Sequence, residues 1–208
     1  MRRRRALEGD LRQAFALREL RLVYQPRYEL DGDRLVGFEA LVGRTHPQRG
    51  PVSPAEFIPA AEDMGLITQM GEWILRTACR EAATWPKPLT VSVNIFPIQF
   101  RNPQIVAVVT SALAAAGLPA SRLELEVTEG ALLLNSAPIM ESFQQLKALG
   151  VRFAMDDFGT GYSSLSYLQK FPFDKIKIDQ CGWQSTPASE FRPRRPSPIL
   201  CFRTLPTP

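Results

Sequence analysis

Leu123-Glu124-Leu125-Glu126-Val127, then a helical pattern from Pro138 to Leu149 closed by Gly150, then Val151-Arg152-Phe153-Ala154-Met155 running into Asp156-Asp157: this stretch decides the fold. Two apolar, β-branched segments separated by one helix, about thirty residues from strand to strand, make a βαβ unit. The crossover helix returns the chain to the same end of the sheet, so the two strands run parallel. Outward from this unit the rhythm repeats. Leu22 to Tyr24, Leu35 to Leu41, Leu89 to Val93 and Lys175 to Ile178 read as further strands, and Gly71 to Thr84 and roughly 103–116 read as helices. The fold class is therefore α/β with a mostly parallel sheet, built either as an open doubly wound sheet or as a (β/α) barrel. Leu7, Leu11 and Phe15 lie near helical spacing and predict a short amphipathic helix over 6–20, packed on its own domain or descending from an upstream one. Residues 180–208 hold 6 of the 18 prolines and show neither period, which predicts little regular structure there.

The chain has 208 residues, 45% hydrophobic and 22% charged, which suits one globular domain. Its formal charge of +4 comes from its two ends, Arg2 to Arg5 and Arg192, Arg194, Arg195 and Arg203. Residues 6–179 carry 17 Lys and Arg against 20 Asp and Glu, a net of −3. A mildly acidic body argues against a broad face for a nucleic-acid polymer and suits a domain that gathers carboxylates. Cys79, Cys181 and Cys201 stand at wide spacings and His46 is the sole histidine, so neither a disulfide framework nor a histidine- or cysteine-rich zinc site is readable. The arginines at the start are followed at once by Glu8, Asp10 and Arg12, with no apolar stretch of a secretory signal. The longest uncharged run, Asn102 to Ser121, is too rich in small and polar residues for a membrane span. A cytoplasmic location is the expectation.

The polar residues fall at strand ends. Glu39 lies near the end of its strand, Asn94 directly follows Val93, Glu126 is near the end of its strand, Asp156-Asp157 follow Met155, and Lys177 sits inside the last strand. Singly, Asn94 reads equally well as a turn residue, and Asp156-Asp157 before Phe158-Gly159-Thr160-Gly161 as a turn with an Asp cap. In a parallel barrel, however, the C-terminal strand ends share one rim, where four carboxylates, an amide and an ammonium would meet. Like charges so gathered demand a cation. All-oxygen ligation favours Mg²⁺ or Mn²⁺, and two such ions suit phosphodiester hydrolysis, with the lysine holding a water or neutralising developing charge.

Several motifs then occur in one order: Tyr24-Gln25-Pro26, Phe38-Glu39-Ala40-Leu41, His46-Pro47, Phe57-Ile58-Pro59, Ala61-Glu62, Val93-Asn94, Gln99-Phe100, Glu126-Val127-Thr128-Glu129, Asp156-Asp157-Phe158-Gly159-Thr160-Gly161-Tyr162-Ser163-Ser164-Leu165 and Lys177-Ile178-Asp179. On these the chain resembles the EAL domain of bacterial cyclic di-GMP signalling, over residues 11–179, between a basic end at 1–10 and a Pro/Arg-rich tail at 180–208. The resemblance implies a TIM-like (β/α) barrel whose first strand is antiparallel, and hydrolysis of cyclic di-GMP to pGpG with two Mg²⁺ or Mn²⁺ ions. It implies Glu39, Asn94, Glu126 and Asp156 as ligands of the first ion, Asp156 and Asp157 at the second, and Lys177 at the hydrolytic water, so that Lys177, Glu39 and Asp156 carry the catalysis. Gln25 and Leu41 are implied in substrate binding. Glu129 is implied as the anchor of the Asp157 to Leu165 loop, through which the family couples its metal site to a dimer contact.

The chain also departs from the family pattern. Where the family places an arginine that contacts substrate phosphate, this sequence has Gly43, and Arg44 one residue on points to the other side of a strand. Phe96 replaces a usual serine. After Asp179 the pattern stops, and the two further βα units, with a second-ion glutamate, have no counterpart up to Pro208. The expectation from sequence is an incomplete barrel, truncated or shifted in reading frame. Its function is then an impaired phosphodiesterase or, in the alternative, an inactive module that binds nucleotide or protein, or a decayed fragment.

Overall fold

The computed structural model describes residues 9, 11, 12, 14, 15, 19–29, 34–128, 137–158, 171–178 and 201–203, the side chains of 157, 158, 178 and 201–203 aside. Strands β1 (Leu20–Tyr28), β2 (Leu35–His46) and β3 (Gly50–Val52) precede helices α1 (Pro54–Asp63) and α2 (Ile67–Thr84). Then come β4 (Thr90–Ile95), the one-turn helix α3 (Pro97–Phe100), α4 (Ile105–Ala116), β5 (Leu123–Thr128), α5 (Ala137–Ala148), β6 (Arg152–Phe158), β7 (Lys175–Ile178) and β8 (Cys201–Arg203). All strands join one sheet in the order β1-β2-β4-β5-β6-β7-β8, with β3 paired to β2. β1 is antiparallel to β2, while β2, β4, β5, β6 and β7 are mutually parallel, as the βαβ rhythm requires.

The two faces of this sheet differ in kind. Val91, Val93 and Ile95 of β4, Leu123, Leu125 and Val127 of β5, and Phe153 and Met155 of β6 are all buried in the core. α2 joins that core with a stripe of Ile67, Met70, Gly71, Ile74, Leu75, Ala78, Cys79 and Ala82, the i, i+3, i+4 spacing of an amphipathic helix. Phe143 of α5 stacks on Phe153 with ring centroids 4.0 Å apart, and Phe171 and Phe173 meet the same ring edge-on at 5.3 and 5.5 Å. Such ring pairs add about 0.5–1.5 kcal/mol each beyond their burial. Gly150 ends the helical stretch at φ +93°, a conformation that costs glycine little. The alternate residues, Glu39, Ser92, Asn94, Glu124, Glu126, Asp156 and Lys177, therefore occupy the other face.

The structure lengthens and adds elements. β1 runs nine residues rather than three, because Pro26 lies in a strand that, among the described residues, pairs on one side only and so tolerates it. β2 continues to His46 because β1 and β3 both pair with it. α1, β3 and α3 were not legible as elements. The expected N-terminal helix is helical at 9, 11, 12, 14 and 15, with Leu11 and Ala14 buried and Phe15 edge-on to Trp73. The tail was expected to lack regular structure, yet Cys201–Arg203 pair antiparallel with β7, which otherwise presents an open edge to any extended apolar segment. Among the described residues no helix is long and apolar enough to cross a membrane.

Candidate functional site

Register places the polar residues level with one another. Glu39 of β2 lies beside Ser92 of β4, Asn94 beside Glu126 of β5, and Thr128 beside Asp156 of β6. Because the strands are parallel and their side chains alternate, residues far apart in sequence meet on the floor of one bowl. Carboxylate oxygens of Glu39, Glu126 and Asp156 all lie within 4.8 Å of one another. Asn94 Nδ2 donates to Glu39 Oε1 at 3.1 Å.

The Lys177 ammonium stands among these carboxylates, donating to Glu126 Oε2 at 2.5 Å, Glu39 Oε2 at 3.0 Å and Asp156 Oδ2 at 3.2 Å. Burial works against its charge, yet Glu126, Glu39 and Asp156 together raise its pKa above the usual lysine value. Burial pushes the Glu126 carboxyl up to about 8, with Glu39 adding to the rise and Lys177 and Arg27 opposing it.

Beneath lies a second buried ionic group that sequence reasoning missed. Arg27 of β1 is 4% exposed and its Nη1 donates to Glu124 Oε1 at 2.5 Å and to Glu126 Oε1 at 3.3 Å, while Nη2 donates to Thr90 Oγ1 at 3.3 Å. Ser92 Oγ donates to the same Glu124 oxygen at 2.9 Å, and Lys175 Nζ stands 2.7 Å from Glu124 Oε2. Burial alone would raise the Glu124 carboxyl, but Arg27 and then Lys175 bring it down to about 2. The alternation Leu123-Glu124-Leu125-Glu126 already put both glutamates on one face, and Gln25 and Arg27 likewise share a face of β1.

Of the residues expected from sequence, Glu39, Asn94, Glu126, Asp156 and Lys177 come together. Gln25 is half-buried and registered opposite Glu39, and Leu41 is half-buried two residues beyond Glu39 on the same face. Gly43 continues that face toward the rim. Arg44 turns the other way, 2% exposed, with Nη2 3.3 Å from Glu19 Oε2. It cannot serve the bowl. The side chain of Asp157, Glu129 and the loop from Gly159 to Leu165 lie outside the described residues.

The donor set fits a hard divalent ion: three carboxylates and an amide, all offering oxygen, with no histidine or cysteine among them. The Lys177 ammonium is itself a cation held by those carboxylates, a sign that they are arranged for positive charge.

The EAL domain family model matches residues 8–185, and the chain belongs to the EAL domain family. An uncharacterized signaling protein of Caulobacter vibrioides is 53% identical over 180 residues, covering 86% of this chain and 22% of that protein. The bifunctional diguanylate cyclase/cyclic di-GMP phosphodiesterase MucR of Pseudomonas aeruginosa is 42% identical over 175 residues, covering 82% and 26%. The chain thus spans about a quarter of the length of these relatives. The solved MucR phosphodiesterase in complex with c-di-GMP superposes with a TM-score of 0.79 at 42% identity, covering 84% of this chain and 72% of that one. The FimX EAL domain of Pseudomonas aeruginosa bound to c-di-GMP gives 0.78 at 26%, covering 86% and 73%. The fold is that of the TIM-like EAL barrel, and among the described residues its sheet stays open between β1 and β8.

Proposed function

We propose that the chain is an EAL-type cyclic di-GMP phosphodiesterase domain that linearises cyclic di-GMP to pGpG with two Mg²⁺ or Mn²⁺ ions. The observation that carries this reading is the convergence of Glu39, Asn94, Glu126, Asp156 and Lys177 from five parallel strands into one cluster, with Glu39, Glu126 and Lys177 buried and Asn94 and Asp156 half-buried. Glu39, Asn94, Glu126 and Asp156 would hold the first ion, and Asp156 and Asp157 would serve the second. When bound, the ions supply Lewis acidity toward phosphate oxygens and lower the pKa of the attacking water. The protein's own part is positional. Lys177 orients the water and balances charge at the reacting phosphate. Arg27 keeps Glu126 in place from below, and Gln25 and Leu41 contact substrate from the side of β1 and β2. Glu129 anchors the Asp157 to Leu165 loop, which forms the contact of a homodimer. The work is cytoplasmic, in keeping with three cysteines whose wide spacing suggests no disulfide framework. Gly43 in place of a phosphate-binding arginine lowers turnover, and favours as a second reading a module that binds the nucleotide without cleaving it.

Purified, monodisperse protein is incubated with cyclic di-GMP and Mg²⁺ or Mn²⁺, and pGpG is quantified by chromatography. The expected result is product formation that Glu39→Ala abolishes. Folded protein that binds cyclic di-GMP and yields no pGpG would establish the second reading. Neither binding nor product from a folded sample would sink both.

A further inference from the structure

We propose that Arg21, at the rim of the bowl, takes a phosphodiester group of the bound cyclic dinucleotide, supplying from β1 the guanidinium that position 43 of β2 lacks; this rests on the phosphodiesterase reading above. The register pairs Arg21 directly with Gly43, as it pairs Gln25 with Glu39 and Arg27 with Gly37. Residues opposite one another in an antiparallel pair share a face, so Arg21 lies on the same face as Glu39 and Gln25. β1 runs against β2, so its N-terminal residues stand where the parallel strands end and the bowl opens.

The side chain runs alongside the place where a residue-43 side chain would start. A Cβ built on Gly43 would sit 3.8 Å from Arg21 Cγ and 3.9 Å from Arg21 Nε, ordinary contact distances. Glycine at 43 leaves that space to the arginine. Arg21 is exposed, and among the described residues no carboxylate pairs with it, whereas Arg27, Arg44, Arg49 and Arg76 each have one. A free guanidinium on an outer helix would be ordinary solvated charge. Here it stands at the rim, on the face of β1 and β2 that carries Gln25 and Glu39, where an anionic ester held over the carboxylate bowl would come within its reach. The planar fork suits two phosphate oxygens at once.

The test measures cyclic di-GMP affinity by titration calorimetry with divalent ion present, for wild type, Arg21→Ala, Arg21→Ala with Gly43→Arg, and Arg80→Ala as an arginine on the outer helix. Arg21→Ala should weaken binding about tenfold, the scale of a lost charged hydrogen bond. It should leave the thermal midpoint in place, and Gly43→Arg should restore affinity in the same background. Equal affinity of Arg21→Ala and wild type overturns the inference while the phosphodiesterase reading stands. So does a loss that Gly43→Arg fails to repair, or one that Arg80→Ala reproduces. Folded wild type that neither binds the nucleotide nor forms pGpG overturns both.

Discussion

Two arginines of β1, six residues apart, each face a glycine of β2, and the pairs live in opposite surroundings. Arg27 opposite Gly37 is at the floor of the bowl, 4% exposed, tied to Glu124, Glu126 and Thr90. Arg21 opposite Gly43 is at the rim, exposed, with no carboxylate among the described residues. The glycines differ in the same sense. A Cβ at Gly37 would run into the backbone carbonyl and Oγ1 of Thr90, while one at Gly43 meets the side chain and backbone oxygen of Arg21 only at ordinary contact distance. The same residue pairing therefore does structural service where water is excluded and is left free for a ligand where water has access.

That contrast is open to direct attack. The largest effect belongs to Arg27→Leu, which takes from the buried Glu124 carboxylate one of its two cations, leaving Lys175 and Ser92, and is expected to cost about 3 kcal/mol in urea unfolding. A loss no greater than that of Arg21→Ala, which should stay within about 0.5 kcal/mol of wild type, would erase the distinction between floor and rim. The acid limb of stability comes next. The folded Glu124 carboxyl titrates at about 2 rather than near its ordinary 4.5, so its contribution is fully present above the ordinary value and lost as pH falls from there through the folded value. A fall of about 3 kcal/mol over that window is expected in wild type and should be absent in Glu124→Gln, measured by urea unfolding at each pH. The smallest test compares the glycines: Gly37→Ala should lose about 1–3 kcal/mol to overpacking against Thr90, and Gly43→Ala less than about 0.5 kcal/mol. Equal losses on thermal unfolding would show that the rim is packed as tightly as the floor.

What the sequence made legible follows from what periodicity can carry. The parallel strands β4 to β7 and helices α2, α4 and α5 repeat long enough for a period to show, and the ligand-type residues stood at strand ends where a rim collects them. α1 escaped because Pro59 interrupts a ten-residue helix, and α3 because a single turn has no period. β1 looked three residues long because Pro26 and Arg27 break its apolar pattern, although Arg27 is buried. The ionic floor stayed hidden for a related reason. A charged residue inside a strand reads as solvent-facing until its partner is known, and the partners here are about a hundred residues away, Arg27 with Glu124 and Glu126. Strand alternation turns Arg44 away from the face of Glu39, and the structure buries it against Glu19.

Lys177 puts an internal counterion into the carboxylate cluster. The polypeptide thus carries its own neutralising charge and need not wait for a metal to complete its interior. On the phosphodiesterase reading proposed above, scarcity of divalent ions should idle the domain without unfolding it, and a chelator should leave its melting cooperative while stopping pGpG release. Supply of the ion and survival of the fold become separate variables.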